Sequence, residues 1–193
     1  MMKRAMVCFA AAAIAFVPAV SHAQRGAASA SQPLHFAMGA GIAMPMSDFA
    51  DAVGTGFHLE GLGTKQLSGS AAFLRGELGF AYFGNKSYGG GLSGKGNQLG
   101  AVMDLGYNFV STSTIKPYVL GGLGLHRTSI TVDAGLNNGS TTSDNTALGF
   151  NAGAGMRFKM GMHVAYVEGR YMNQGNWNRA NIASFPIAFG VEF

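Results

Sequence analysis

The chain has 193 residues, of which 48% are hydrophobic and 11% charged, with 30 Gly, one Cys and a formal net charge of +4. Glycine stands at about twice its usual share of about 7%, which argues against a helical bundle, because each interior Gly costs a helix about 1 kcal/mol relative to Ala. Charge is less than half the usual share of about 25%, too little to coat a water-facing surface, while a mean hydropathy of +0.18 is too low for a chain built mostly of membrane helices.

The first element reads as an export signal. Lys3 and Arg4 form a short positive region, Ala5 to Val17 is an apolar run, and Pro18 ends it. The run is shorter than the about 20 residues of a membrane-spanning helix. Ser21-His22-Ala23 places small residues ahead of a cleavage point at Gln24. The expected division is a cleavable signal peptide over 1–23 and one domain over 24–193. Cys8 lies inside the apolar run, away from the cleavage point, so lipidation is not expected. The mature chain then has no Cys for disulfides or thiolate metal sites. Cleavage also removes Lys3 and Arg4, lowering the net charge by two units. The pI near 9.4 then gives little reason to expect nucleic acid, and no Lys/Arg cluster interleaved with aromatics is present.

The mature chain alternates with period two. No segment has the about 18 consecutive apolar residues of a transmembrane helix. Strands are predicted over 34–44, 56–63, 72–83, 98–108, 116–130, 147–158, 163–172 and 183–193. In the clearest, Leu74, Leu78, Phe80 and Tyr82 oppose Arg75, Glu77, Gly79 and Ala81. In the fourth, Leu99, Ala101, Met103 and Leu105 oppose Gln98, Gly100, Asp104 and Gly106. The fifth has ambiguous parity; the preferred reading turns Val119, Leu123 and Leu125 outward and His126 inward. Throughout, the large apolar residues share one face, and Gly, Ala, Ser, Asn and isolated charges share the other. A soluble barrel would put the large residues inside. Here the small and charged residues fill a narrow interior and the apolar ones face lipid, the pattern of a transmembrane β-barrel. The predicted fold is an all-β, eight-stranded antiparallel up-and-down barrel, whose interior is just wide enough for side chains.

The links alternate in length. The first, third, fifth and seventh are long, which fits extracellular loops and short periplasmic turns. Phe73, Tyr107, Phe109, Tyr118, Phe158 and Phe193 are expected in a periplasmic aromatic girdle. Phe57, Tyr82, Phe83, Tyr171 and Phe185 are expected in an outer one. The last strand, Pro186 to Phe193, alternates apolar residues and ends in Phe. It resembles the C-terminal signal read by the outer-membrane assembly machinery, with Phe189, Val191 and Phe193 as the residues read. Together with the export signal and the Lys116-Pro117-Tyr118-Val119-Leu120-Gly121-Gly122 strand, the chain resembles the small outer-membrane porin-family barrels, of the opacity-protein-like and OmpA/OmpX-like group. The resemblance implies a place in the bacterial outer membrane. It implies outer-membrane lipids, lipopolysaccharide and the assembly machinery as partners. OmpA's envelope-tethering role is not carried over, because no peptidoglycan-binding domain is expected.

The inward charges Glu60, Arg75, Glu77, Asp104, Arg157, Glu168, Arg170 and Glu192 are read as an ion-pair plug, since an unpaired charge in a narrow interior is costly. The expected pairs are Arg75 with Glu60 or Asp104, Arg157 with Glu168, and Arg170 with Glu192. Lys86, Lys95, Arg127 and Arg179 are candidate lipopolysaccharide contacts near the outer end, and Trp177 is a candidate partner anchor or, equally, a marker of the membrane interface. Gly89 to Gly96 approaches a phosphate-binding loop but has Gly96 where Ser or Thr is needed. Asn138-Gly139-Ser140 matches a glycosylation acceptor and reads as turn chemistry. Small lipid A deacylase barrels use a His with a Ser two residues on; none of His35, His58, His126 and His163 has one. No cofactor, metal or catalytic residue is expected. The functional expectation is a non-enzymatic envelope structural or adhesin-like surface-interaction protein, with a surface or host ligand. A narrow passive pore or a lipid A-modifying enzyme is the alternative.

Overall fold

The computed structural model describes residues 33–109, 114–134 and 139–193. The expected signal peptide, with Cys8, and Asn138 lie outside these residues. The described chain forms strands β1 (Leu34–Met46), β2 (Gly56–Gln66), β3 (Ala72–Gly89), β4 (Leu92–Asn108), β5 (Ile115–Asp133), β6 (Ser140–Met160), β7 (His163–Trp177) and β8 (Ala180–Glu192). A short helix, α1 (Ser47–Ala52), lies between β1 and β2. Each strand pairs with its sequence neighbour, and β1 pairs antiparallel with β8, so the sheet closes. This is the eight-stranded antiparallel barrel expected from the alternation.

Closure leaves the backbone no free edge, the condition for exposing apolar side chains to lipid rather than water. Met38, Leu78, Leu99, Met103, Leu123 and Leu148 all point outward and are more than half exposed. Aromatic residues gather toward the two ends of this belt. Phe57 stacks on Tyr82 at 5.6 Å, and Tyr107 meets Phe109 edge-on at 5.7 Å. Three residues expected in the girdles are instead inside: Phe73, Phe83 and Tyr118 are almost fully buried. Strand parity explains the difference. Phe73 lies two positions from inward Arg75, Phe83 two from inward Ala81, and Tyr118 eight from inward His126.

The strands run past the expected boundaries at one end. β3 and β4 continue to a turn at Gly89 to Gly91, all with positive φ. β5 and β6 keep their register up to Asp133↔Ser140. The residues added here are largely Ser, Thr, Asn and Gly. Except for Gly94 and Gly96, buried beside α1, most of them are exposed or half-exposed, so no apolar alternation marks them, yet their backbones still complete the ladder. Across it, the Thr131 and Thr142 hydroxyls meet at 2.9 Å. We call this the hairpin end; the opposite turn end carries the tight β2–β3 and β6–β7 links and both ends of the described barrel.

Glycine placement follows the inward rings. Phe73 faces Gly106, Tyr118 faces Gly155, Tyr166 faces Gly190 and His126 faces Gly100 across adjacent strands. A Cβ on Gly106 would sit 2.1 Å from the Phe73 ring, on Gly155 2.5 Å from Tyr118, and on Gly190 2.3 Å from Tyr166. Each ring thus lies flat over a neighbour that has no side chain. Replacing Gly155 with Val should overpack this seat and destabilise the barrel by about 1–3 kcal/mol. Urea unfolding in detergent, with Gly61→Val as the control, checks it, because no atom lies within 4 Å of a Cβ at Gly61.

Candidate functional site

Inward positions of β2 to β8 converge on a buried polar network. The Arg75 guanidinium on β3 donates to Glu168 on β7, with Asp104 of β4 3.8 Å away. Arg170 is the hub. Its Nη2 lies 2.6 Å from Glu77 Oε2, its Nη1 3.4 Å from Asp104 Oδ2, and its Nε donates to Glu168 Oε1 at 3.0 Å. The Tyr118 hydroxyl donates to Glu168 Oε2 at 2.7 Å, and Asn151 Nδ2 donates to Asp104 Oδ1 at 2.9 Å. Glu60 is held by the Tyr166 hydroxyl at 2.6 Å and by His58 Nε2 at 2.9 Å.

A second layer lies nearer the turn end. Arg157 Nε donates to Glu192 Oε1 at 2.6 Å and its Nη1 to Asn108 Oδ1 at 2.7 Å. Its guanidinium covers the rings of Tyr118 and Phe73 at 4.4 and 4.8 Å. Two expected pairings are therefore exchanged. Arg157 meets Glu192 rather than Glu168, and Arg170 meets Glu77, Asp104 and Glu168 rather than Glu192. The register gives the reason. Glu168 stands across from Gly155 and Arg170 across from Gly153, while Arg157 lies beyond both, toward the end of β6. Arg75 takes Asp104, its register partner, and reaches across the lumen to Glu168; Glu60 is no partner of it.

The hairpin mouth is closed by α1. Phe49 is fully buried and meets Phe83 edge-on at 4.8 Å, packed with Ala43, Val53, Ala81 and Ile182. The helix is tied to the rim. Asp48 Oδ2 accepts the backbone N–H of Asn181 at 2.8 Å, Lys86 Nζ donates to the Ala50 carbonyl at 2.5 Å, and the Tyr88 hydroxyl donates to the Ala52 carbonyl. Beside the cap lies a cleft of about 280 Å³, lined by Asp48, Phe49, Ile130, Val132, Trp177 and Asn178 among others. The two-residue β7–β8 turn, Asn178 and Arg179, has positive φ at both positions, as a type I′ hairpin turn requires.

Three of the four candidate lipopolysaccharide contacts have acidic neighbours. Lys86 lies 3.6 Å from Asp51, Lys95 3.7 Å from Asp133 and Arg127 3.4 Å from Asp144. Arg179 has no ion pair among the described residues. His58 and His126 are buried in the lumen. His35 and His163 are exposed at the turn end. Register partners are Thr64 for His35, Gly41 and Ala81 for His58, Gly100 and Ala147 for His126, and Met160 for His163. None is a serine.

A family model of the outer membrane protein beta-barrel domain matches residues 9–193. The chain belongs to this family. It is an outer-membrane β-barrel. Among solved structures, it is similar to Neisserial surface protein A (22% identity, 82% of this chain and 95% of that one, TM-score 0.58). A major outer membrane protein from Thermus thermophilus is 13% identical over 83% of this chain and 98% of that one, with a TM-score of 0.56. Ail, the attachment invasion locus protein of Yersinia pestis, is 12% identical over 84% and 99%, with a TM-score of 0.52. At these identities the likeness is one of fold. No curated protein matches the chain.

Tyr166, His58 and Asn151 were not among the expected network residues. Their signal was parity: Tyr166 lies two positions before inward Glu168, and His58 two before inward Glu60. Arg170→Ala should cost about 3–5 kcal/mol by leaving buried carboxylates uncompensated. Arg127→Ala, at an exposed pair, should cost under about 1 kcal/mol. Paired urea titrations of the two variants check this; equal losses would contradict the hub role of Arg170.

Proposed function

We propose that the protein is a non-enzymatic surface-interaction protein of the outer membrane, adhesin-like in action, with its hairpin end directed outward. The observation that carries this reading is closure of the barrel at two levels. Arg157 and Glu192 join across the turn end, Phe49 fills the mouth, and the paired network lies between. A barrel with so filled an interior has its working surface at the ladder ends. There β3–β4 and β5–β6 extend well beyond the about 9–11 residues that cross a bilayer. The Trp177 cleft lies on this side and gives a partner both an aromatic wall and polar edges.

The belt contacts outer-membrane lipid. Lipopolysaccharide phosphates fall to Arg179 first, because Lys86, Lys95 and Arg127 already share their charge with acids. The outward-facing Phe189, Val191 and Phe193 on and just after β8 serve the assembly machinery, each 44–66% exposed. A host or surface ligand is bound at the hairpin tips.

Cells carrying the intact protein should adhere to immobilised host-matrix polymer. Cells carrying a barrel with the tips 86–94 and 132–141 shortened should adhere no better than cells without the protein. Undiminished adhesion after shortening both tips would end this reading. In planar bilayers the intact protein should give no discrete conductance; regular steps would favour the passive pore. Lipid A mass spectra should be the same with and without the protein; a lost acyl chain would favour the lipid A-modifying enzyme.

A further inference from the structure

The buried lumen holds one region where carboxyl groups outnumber guanidiniums. Among the described residues between Arg157 and the Phe49 cap, the buried acidic and guanidinium side chains are Glu60, Glu77, Asp104 and Glu168, and Arg75 and Arg170. Asp104 and Glu168 each contact both guanidiniums. Glu77 has only a share of Arg170, and Glu60 has neither; its partners are His58 and Tyr166. Four carboxyl groups thus share two guanidiniums, and Glu60 and Glu77 are the two least served by them. They converge on one imidazole: a ligating atom from each of His58, Glu60 and Glu77 lies within 4.8 Å of the others.

An independent observation points to the same place. His126 is 1% exposed, and neither ring nitrogen has a hydrogen-bond partner among the described residues. Leaving buried polar atoms unpaired is costly, and such a group marks a missing partner. His126 lines a small cavity together with His58, Glu77 and Gln98. Its volume is about 10 Å³, room for about one water-sized particle. The space exists because Gly79 and Gly100 face each other in register. A Cβ at Gly79 would lie 3.2 Å from His58 Cε1 and 3.3 Å from Glu77 Oε1, and one at Gly100 2.8 Å from His126 Nδ1.

We propose that this cavity binds one divalent transition-metal ion of the zinc class, held by His58, Glu60 and Glu77 and faced by His126. A dication supplies the positive partner that Glu60 and Glu77 do not fully find in the guanidiniums. Imidazole and carboxylate together suit zinc and its neighbours, whereas calcium and magnesium favour sites built of oxygen alone. The outer partners are already in place, with the Tyr166 hydroxyl on Glu60 and Arg170 beside Glu77, as ligand carboxylates need to be oriented. His58 and Glu60, hydrogen-bonded at 2.9 Å, open to admit the ion between them. The ion then fastens β2 to β3, and through His126 to β5.

Cobalt(II) titration of the full chain, refolded in detergent without chelator, tests the site. The intact protein should take up a single equivalent, with the intense visible band of a tetrahedral ion, and zinc should displace it and raise the melting temperature. His58→Ala and Glu77→Gln should each lose the band. Tyr166→Phe should weaken binding about tenfold, the usual effect of an outer-sphere loss. The double variant His35→Ala/His163→Ala, at the exposed turn end, should bind as the intact protein does. Heat-modifiable gel migration establishes that each variant is folded, and Glu77→Gln decides the matter if His58→Ala does not fold. Loss of the band in the His35/His163 variant, or its survival in folded Glu77→Gln, overturns the proposal. So does a folded intact protein that takes up no cobalt.

Discussion

Arg170 meets Glu77, Asp104 and Glu168 in an interior too narrow for water to solvate any of them. In a closed eight-stranded ring the lumen is about one side chain wide. Charges placed there depend on counterparts brought in from across the ring, and two guanidiniums hold β3, β4 and β7 in common. That demand sets the rest of the interior. Long side chains that reach across need empty ground beneath them, so glycine fills the opposing positions. Rings that donate to the carboxylates, Tyr118 and Tyr166, lie on glycine for the same reason. The glycine excess and the scarcity of charge are two sides of one packing solution.

The hairpin end follows a different rule. There the ladder is held by its backbone and by polar pairs such as Thr131 with Thr142. The cap α1 joins the two regimes, with Phe49 facing the lumen while its rim contacts run to β3 and β8. Most of the rim cations are neutralised by nearby acids. The rim thus offers shape and the Trp177 cleft more than bulk positive charge.

The fold was legible because its signal is local. Alternation along β3 or β4 reports which face is wet without reference to any other strand. The inward identity of all eight network charges follows from that parity alone. Their partners do not, because pairing depends on how far the strands are offset around the ring. Arg157 and Arg170 exchanged acids for this reason. Phe73, Phe83 and Tyr118 were misplaced by residue type, although their own parity put them inside. The α1 cap had no comparable signal: six residues with one buried Phe resemble any loop. Extension of β5 and β6 through Ser and Thr was also hidden, since polar residues alternating with polar residues leave no contrast to read.

The β1–β8 seam carries a kinetic consequence. It joins Ala37 to Glu192, and the Phe193 N–H to the Phe36 carbonyl at 2.9 Å, contacts that span nearly the whole described chain. Such distant contacts are slow to form, because their loop-closure entropy must be met before they return any stabilisation. Until β8 arrives, β1 and β7 present unpaired edges, and an apolar belt is already exposed beside them. The nascent barrel is thus most prone to aggregate just before it becomes most stable, a hazard set by the order in which its strands are made.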